Sequence, residues 1–172
     1  MKITGKTLCV LSIIIFIIVA IPCVMALLER NDGGIMNCST KAIMRFENMD
    51  NENVNGNIHF SFAKNGQGSI VVEGYTDSAA GWLYLQRYVK LNYTSRRVSP
   101  TIRQYHISQW ESSASSIDES PNVIFDYFMR EMSDSHDGLF LNAQLLNDKT
   151  LLLSSLNSPL FICTLKPGSK FN

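Results

Sequence analysis

Hydrophobic positions fall into two regimes along the chain. Leu8 to Leu28 is apolar at every position except Ser12 and Pro22. Beyond it a period of two takes over, the alternation expected of half-buried strands. Lys41 to Glu47 alternates loosely, with Ala42, Met44 and Phe46 on one face, and Asp50 to Asn57 is an Asn-rich polar turn. Ile58 to Phe62 alternates strictly, Lys64 to Gly68 closes a hairpin, and Ser69 to Tyr75 is the returning strand. After a turn at Asp77 to Gly81 comes the longest strand, Trp82 to Tyr93. It sets Leu83, Leu85, Val89 and Leu91, with Arg87 among them, against Trp82, Tyr84, Gln86, Tyr88, Lys90 and Asn92. Thr94 to Pro100 breaks this strand. In Thr101 to Trp110, Arg103, Tyr105 and Ile107 lie opposite Ile102, Gln104, His106 and Trp110.

A change of period follows. Glu111 to Glu119 is Ser-rich and reads as a mobile link. Ser120 before Pro121 is a helix start, an N-cap residue followed by proline at the first position. The spacing predicts a helix over Pro121 to Met132, with Val123, Phe125, Tyr127, Phe128 and Met132 as its apolar stripe. Strands return at Gly138 to Asn147, Thr150 to Leu156 and Leu160 to Leu165. The tally is mainly β: an antiparallel, barrel-like domain of about eight strands with one α-helix, behind a single N-terminal transmembrane helix. A sandwich competes, and a barrel shared with a partner chain fits equally well.

The apolar run sets the placement. A helix of that length spans about 31 Å, close to the hydrocarbon core of a bilayer. Lys2 and Lys6 precede it, and Glu29 and Asp32 follow. This bias predicts a cytoplasmic N-terminus and an exported C-terminal part. The expected organisation is residues 1–7 in the cytoplasm, 8–28 as anchor, 29–37 as linker and 38–172 as a periplasmic β-rich domain. A cleaved signal peptide, with Val24-Met25-Ala26 as the cleavage site, is the rival, although its apolar region should be shorter.

Four cysteines divide two and two. Cys9 and Cys23 lie in the apolar run and read as small hydrophobes. Cys38 and Cys163 form an even pair in a compartment that oxidises thiols, which makes a disulfide the leading assignment. That bond puts the first and last parts of the domain side by side, as closure of a sheet requires.

Charge and motifs narrow the function. Fifteen basic residues balance fifteen acidic ones, so the chain lacks the footprint of a nucleic-acid binder. His59, His106 and His136 share no metal-binding spacing, and Ser135-His136-Asp137 does not make a triad merely by adjacency. No nucleophile elbow or phosphate loop occurs, so neither a catalytic residue nor a metal or cofactor is assigned. Aromatic residues concentrate in one hairpin. Trp82, Tyr84, Tyr88 and Trp110 are the candidate ligand or partner surface, with barrel-core packing as the plainer reading. Alternation alone does not say which face is inside.

A short basic start, an anchor, a cysteine just beyond it, a β-rich domain and a closing Ser158-Pro159-Leu160-Phe161-Ile162-Cys163 together resemble the FidL-like small membrane proteins of enteric bacteria. The resemblance implies an inner-membrane companion of membrane-spanning transcription regulators of the ToxR/CadC type. It is more distantly similar to ToxS and VtrC, which implies a lipocalin-like periplasmic barrel and a small amphipathic ligand such as a bile salt. The expected function is therefore non-enzymatic: binding and stabilising or modulating a regulator, in a suspected heterodimer, with a stand-alone ligand-binding or envelope-stress protein as the alternative.

Overall fold

The computed structural model describes residues 15–21, 34–45, 53–78, 81–133, 138–156 and 158–171. Eight antiparallel strands close into a barrel in which each strand neighbours the next in sequence. They are β1 (Met36–Arg45), β2 (Asn53–Phe62), β3 (Gln67–Ser78), β4 (Gly81–Ser99), β5 (Ile102–Ala114), β6 (Leu139–Asn147), β7 (Thr150–Ser154) and β8 (Pro159–Leu165). The sandwich reading is set aside, because β8 pairs back onto β1 through Cys38↔Leu165 and Ser39↔Thr164. A short helix, α1, covers residues 15–21, and α2 covers Asn122–Met132.

Period-two burial explains the closure. On β2, Val54, Ile58, Phe60 and Phe62 point inward, and on β4 Leu85, Val89, Leu91 and Tyr93 do the same. With Tyr105 and Ile107 of β5, Leu141 of β6 and Leu151 and Leu153 of β7, they fill the interior with large side chains. A barrel of eight strands is just wide enough for that filling. Phe62 packs against Tyr93 and Tyr105 at ring separations of 4.9 and 4.6 Å. The disulfide joins Cys38 to Cys163 across the β1–β8 seam, both residues fully buried.

Several strand limits differ from expectation, each for a tertiary reason. The segment expected as a turn at Asp50 to Asn57 is already β2 from Asn53, because Asn53 to Asn57 is paired on both sides, with β1 and with β3. Gly56 faces Gly74 across that pair, and a Cβ on Gly74 would lie 2.3 Å from the Asn55 carbonyl oxygen. Glycine here permits close strand approach; it does not mark a turn. The expected break at Thr94 to Pro100 is absent. β4 runs on to Ser99 because Thr94 to Ser99 pairs with β5. Nor is Glu111 to Glu119 a loose link: Glu111 to Ala114 belongs to β5, and Asp118 is fixed by five hydrogen bonds.

α2 covers the end of the barrel where β1 finishes and β8 begins. Its buried face is Ile124, Phe125, Phe128, Met129 and Met132. Val123, placed on the expected stripe, is exposed, and Tyr127 is half-buried. Pro121 is the N-cap, and no side chain caps the helix; the Ser120 hydroxyl donates instead to Asp118 at 3.0 Å. At the opposite end the C-terminal residues fold back. Lys170 bridges to Ile35, and Lys166 N–H donates to the Asn37 carbonyl at 2.8 Å. Phe171 packs into the core there.

Most of the expected anchor, Leu8 to Leu28, lies outside the described residues, as do Phe46, Glu47 and Ser135-His136-Asp137. Among the described residues no helix is long and apolar enough to cross a membrane. The described part of the run, α1, is helical and exposes Ile15, Phe16, Ile17, Ile18, Val19 and Ile21.

Candidate functional site

The β3–β4 ribbon decides where the aromatic candidates point. Leu85, Val89 and Leu91 face the core, so Trp82, Tyr84 and Tyr88 face outward, with Trp82 63% and Tyr88 41% exposed. Tyr84 sits opposite Tyr75 and packs edge-on against it at 5.4 Å. Asp77 pairs with Trp82, and Glu73 with Gln86. The result is an aromatic strip about 20 Å long on the outer wall, at ~3.3 Å per residue, edged by two carboxylates. The core-packing alternative for these three residues is thereby excluded, and so is a lining of the barrel interior.

Trp110 is a separate case. A bulge in β5 between its pairings to Asn92 and Tyr93 shifts the register, so Trp110 lies opposite inward-facing Leu91. It is nevertheless 47% exposed, because β6 pairs only with Ile102 to Ile107 and ends before reaching it. Bulges re-aim side chains in this way. Trp110 therefore does not share the Trp82–Tyr88 strip. It borders a different, mostly polar groove of about 820 Å³ beside Gln67, Lys90, Asn92 and Gln109.

Two polar clusters hold the fold around these surfaces. Arg87, inside the barrel wall, donates to both Asp118 carboxylate oxygens at 2.8 and 3.1 Å, to Asn122 Oδ1 at 2.7 Å and to the Ser120 carbonyl at 2.9 Å. Its guanidinium also lies 5.6 Å from the Phe125 ring centre. This network fastens the start of α2 to β4. At the other end Arg103 is buried near Tyr93 and Tyr105. Burial raises both phenol pKa values above 10, and the Arg103 charge offsets part of that rise. The Tyr93 hydroxyl donates to the Ala63 carbonyl.

A second depression lies at the α2 end, and sequence reasoning missed it. A cleft of about 410 Å³ opens between α2, the end of β1 and the start of β8. Phe128 and Met132 form its buried floor. Met44, Tyr127, Leu160 and Phe161 wall it, and Arg45, Arg130 and Glu131 also line it. The Arg130 guanidinium sits 4.1 Å over the Tyr127 ring. No local motif announces this site, since its parts are about 85 residues apart on β1 and α2 and about 30 more from β8. The one available signal was Arg130 three positions after Tyr127 on a helix, a spacing that stacks the two.

The histidines are dispersed. His59 lies on the outer wall, 3.6 Å from Glu73 and 3.3 Å from the Lys166 amine. His106 stacks on Phe140 at 4.4 Å. Among the described residues no three His, Cys, Asp or Glu side chains gather as a metal site would require.

These features define a small, disulfide-closed, up-and-down barrel that offers surfaces and a cleft. Residues 74–163, more than half of the chain, match the family described as "FidL-like putative membrane protein". The chain belongs to this FidL-like family, as the closing Phe161-Ile162-Cys163 segment suggested. No curated protein matches it.

Proposed function

We propose that this protein is a non-enzymatic accessory protein of the bacterial inner membrane. Leu8 to Leu28 anchors it with the N-terminus in the cytoplasm, and the barrel lies in the periplasm. There the barrel docks beside the periplasmic part of a membrane-spanning regulator of the ToxR/CadC type and stabilises or modulates it. The observation that carries the reading is the Trp82–Tyr84–Tyr88 strip: large aromatics turned outward from a rigid wall, as interface anchors are. Three further observations support the placement. α1 is apolar on every side and exposed, the pattern of a helix made for lipid. The Cys38–Cys163 bond fits an oxidising compartment. The family is one of membrane proteins.

The test is a pull-down of the regulator with full-length protein carrying Trp82→Ala or Tyr88→Ala, run beside thermal melts of the same variants. Truncating a central interface aromatic costs about 2 kcal/mol, roughly thirtyfold in affinity. The expected result is weakened capture with an unchanged melting temperature, since both side chains are exposed. Undiminished capture by both variants would refute the docking face. The second reading, a ligand-binding protein acting alone, is favoured by the α2 cleft.

A further inference from the structure

Three turns of the barrel gather at the end opposite α2. Met36, where β1 begins, pairs with Phe62, and Phe62 pairs with Gly68 across the β2–β3 turn. The β4–β5 turn follows Ser99, and the β6–β7 turn follows Asn147. Both lie at the same end, because Ile102 pairs with Gln144 and Thr150 with Thr164 of β8. β8 finishes there too, with Leu165 opposite Cys38 and Lys170 bridged to Ile35. The chain therefore enters and leaves the barrel at this one end.

Charge is divided between the two ends. Lys64, Arg96, Arg97, Lys149, Lys166 and Lys170 are all exposed in and beside these turns, where Asp148 is the one acidic side chain among the described residues. None of the six forms an ion pair with a described carboxylate. Val98 and Leu146 are exposed among them. Farther down the wall, Lys90 is matched by Glu111 across β4 and β5. The α2 end is the reverse. Glu119, Asp126 and Glu131 are exposed there with Arg45 and Arg130. The sequence joining β1 to β2 and α2 to β6 adds Glu47, Asp50, Glu52, Asp134 and Asp137 without a Lys or Arg. A chain of zero net charge is thus polarised along its barrel.

Position supplies the partner. Residues 29–33 are all that separate Leu28 from Gly34 at the basic end, and five residues reach at most about 18 Å. We propose that this end rests on the anionic phospholipid headgroups of the membrane holding Leu8 to Leu28, which builds on the anchored placement above and adds how the barrel sits. Each Lys or Arg at an anionic leaflet strengthens the contact about fivefold, and Val98 and Leu146 gain by leaving water there. Seated this way, the barrel carries its α2 end up to roughly 30 Å outward over the ten residues of β1. Trp82, beside the β3–β4 turn at that far end, is left open to a partner.

The experiment uses full-length protein in nanodiscs of phosphatidylcholine, with and without phosphatidylglycerol, and a nitroxide on the lipid headgroups. A fluorophore is placed on Val98→Cys or Ile117→Cys in a Cys9→Ala/Cys23→Ala background. Ile117 is exposed and flanked by residues bonded to Gln86 and Tyr84, in the half of the barrel away from the basic end. Phosphatidylglycerol should raise quenching at Val98 severalfold and leave Ile117 unchanged. The gain should vanish at about 1 M salt, where the Debye length falls to about 3 Å. Arg96→Gln/Arg97→Gln/Lys149→Gln should abolish it as well, since three such charges are worth about a hundredfold. Arg96→Lys/Arg97→Lys should quench like the wild type, and each variant's melting temperature should be unchanged because the side chains are exposed. Equal quenching at Val98 in both kinds of disc, quenching that survives high salt or the triple variant, or stronger quenching at Ile117 would overturn the proposal. Co-elution with the discs reports the anchor separately. Protein that leaves the discs refutes the anchored placement itself, whereas protein that stays with an unquenched Val98 label refutes the seat alone.

Discussion

Removing the disulfide tests how the barrel stays shut. β1 and β2 share ten paired positions, whereas β1 and β8 share two. The bond between Cys38 and Cys163 lies at that thin seam and closes a loop with a sequence separation of 125. On the chain-entropy relation, a loop of that length removes about 16 cal/mol/K from the unfolded ensemble, or ~5 kcal/mol at 25 °C. Small domains are stable by only about 5–15 kcal/mol in total, so the bond supplies a large share. Cys38→Ala/Cys163→Ala in the full-length protein should therefore lower the melting temperature by about 10–20 °C, at ~2–4 °C per kcal/mol for a domain of this size. Wild-type protein kept reduced provides the control, since it loses the bond and keeps both sulfur atoms. The loss should also be localised. In hydrogen exchange, β1 and β8 amides should open before those of β3 and β4, which pair with each other over twelve positions. A double variant that melts within about 3 °C of wild type, with β8 protected as well as β4, would refute the view that the bond holds the seam.

Two further outcomes follow from buried polar groups. Asp118→Ala should destabilise the domain by about 3–5 kcal/mol in chemical unfolding, because it strands the buried Arg87 charge; a loss under ~1 kcal/mol would show the network to be dispensable. Among the described residues the buried Tyr105 hydroxyl finds no hydrogen-bond partner, so Tyr105→Phe should cost little or stabilise at neutral pH. Its folded-state pKa lies above the ordinary value near 10 through burial. The folded state therefore holds the phenol proton more tightly than the unfolded chain does. That stability is fully present below pH ~10 and is lost as pH rises through the folded-state value. Unfolding titrations above pH ~10 should show a falling slope that Tyr105→Phe reduces; an identical slope would assign it elsewhere.

The alternation of Leu83, Leu85, Val89 and Leu91 made the central strand legible, and the even pair Cys38 and Cys163 made closure legible. Polar segments were misread because their order comes from neighbours: Asn53 to Asn57 and Thr94 to Ser99 are strands only when other strands flank them. On α2 the expected stripe is right at Phe125, Phe128 and Met132, whereas Val123 and Tyr127 give way to Ile124 and Met129 on the buried face. Helical spacing fixes the width of a stripe but not which of two overlapping stripes meets the barrel. For Trp82 and Tyr88 the sequence marked the ribbon, and only closure revealed the outer side. Trp110 changed sides because a one-residue bulge reverses a period of two. The α2 cleft was hidden for a simpler reason: three distant segments build it.

The closing seam also bears on the order of synthesis. Every other neighbouring pair in the barrel joins strands consecutive in sequence, so each can form as its second strand emerges. β1 alone must wait for the last strand, across a separation of 125. At ~5–20 residues per second, the outer edge of β1 stays without its partner for roughly 6–25 s in every molecule made. During that interval Cys38 is a free thiol beside an open strand edge, and the barrel is complete only once Cys163 arrives.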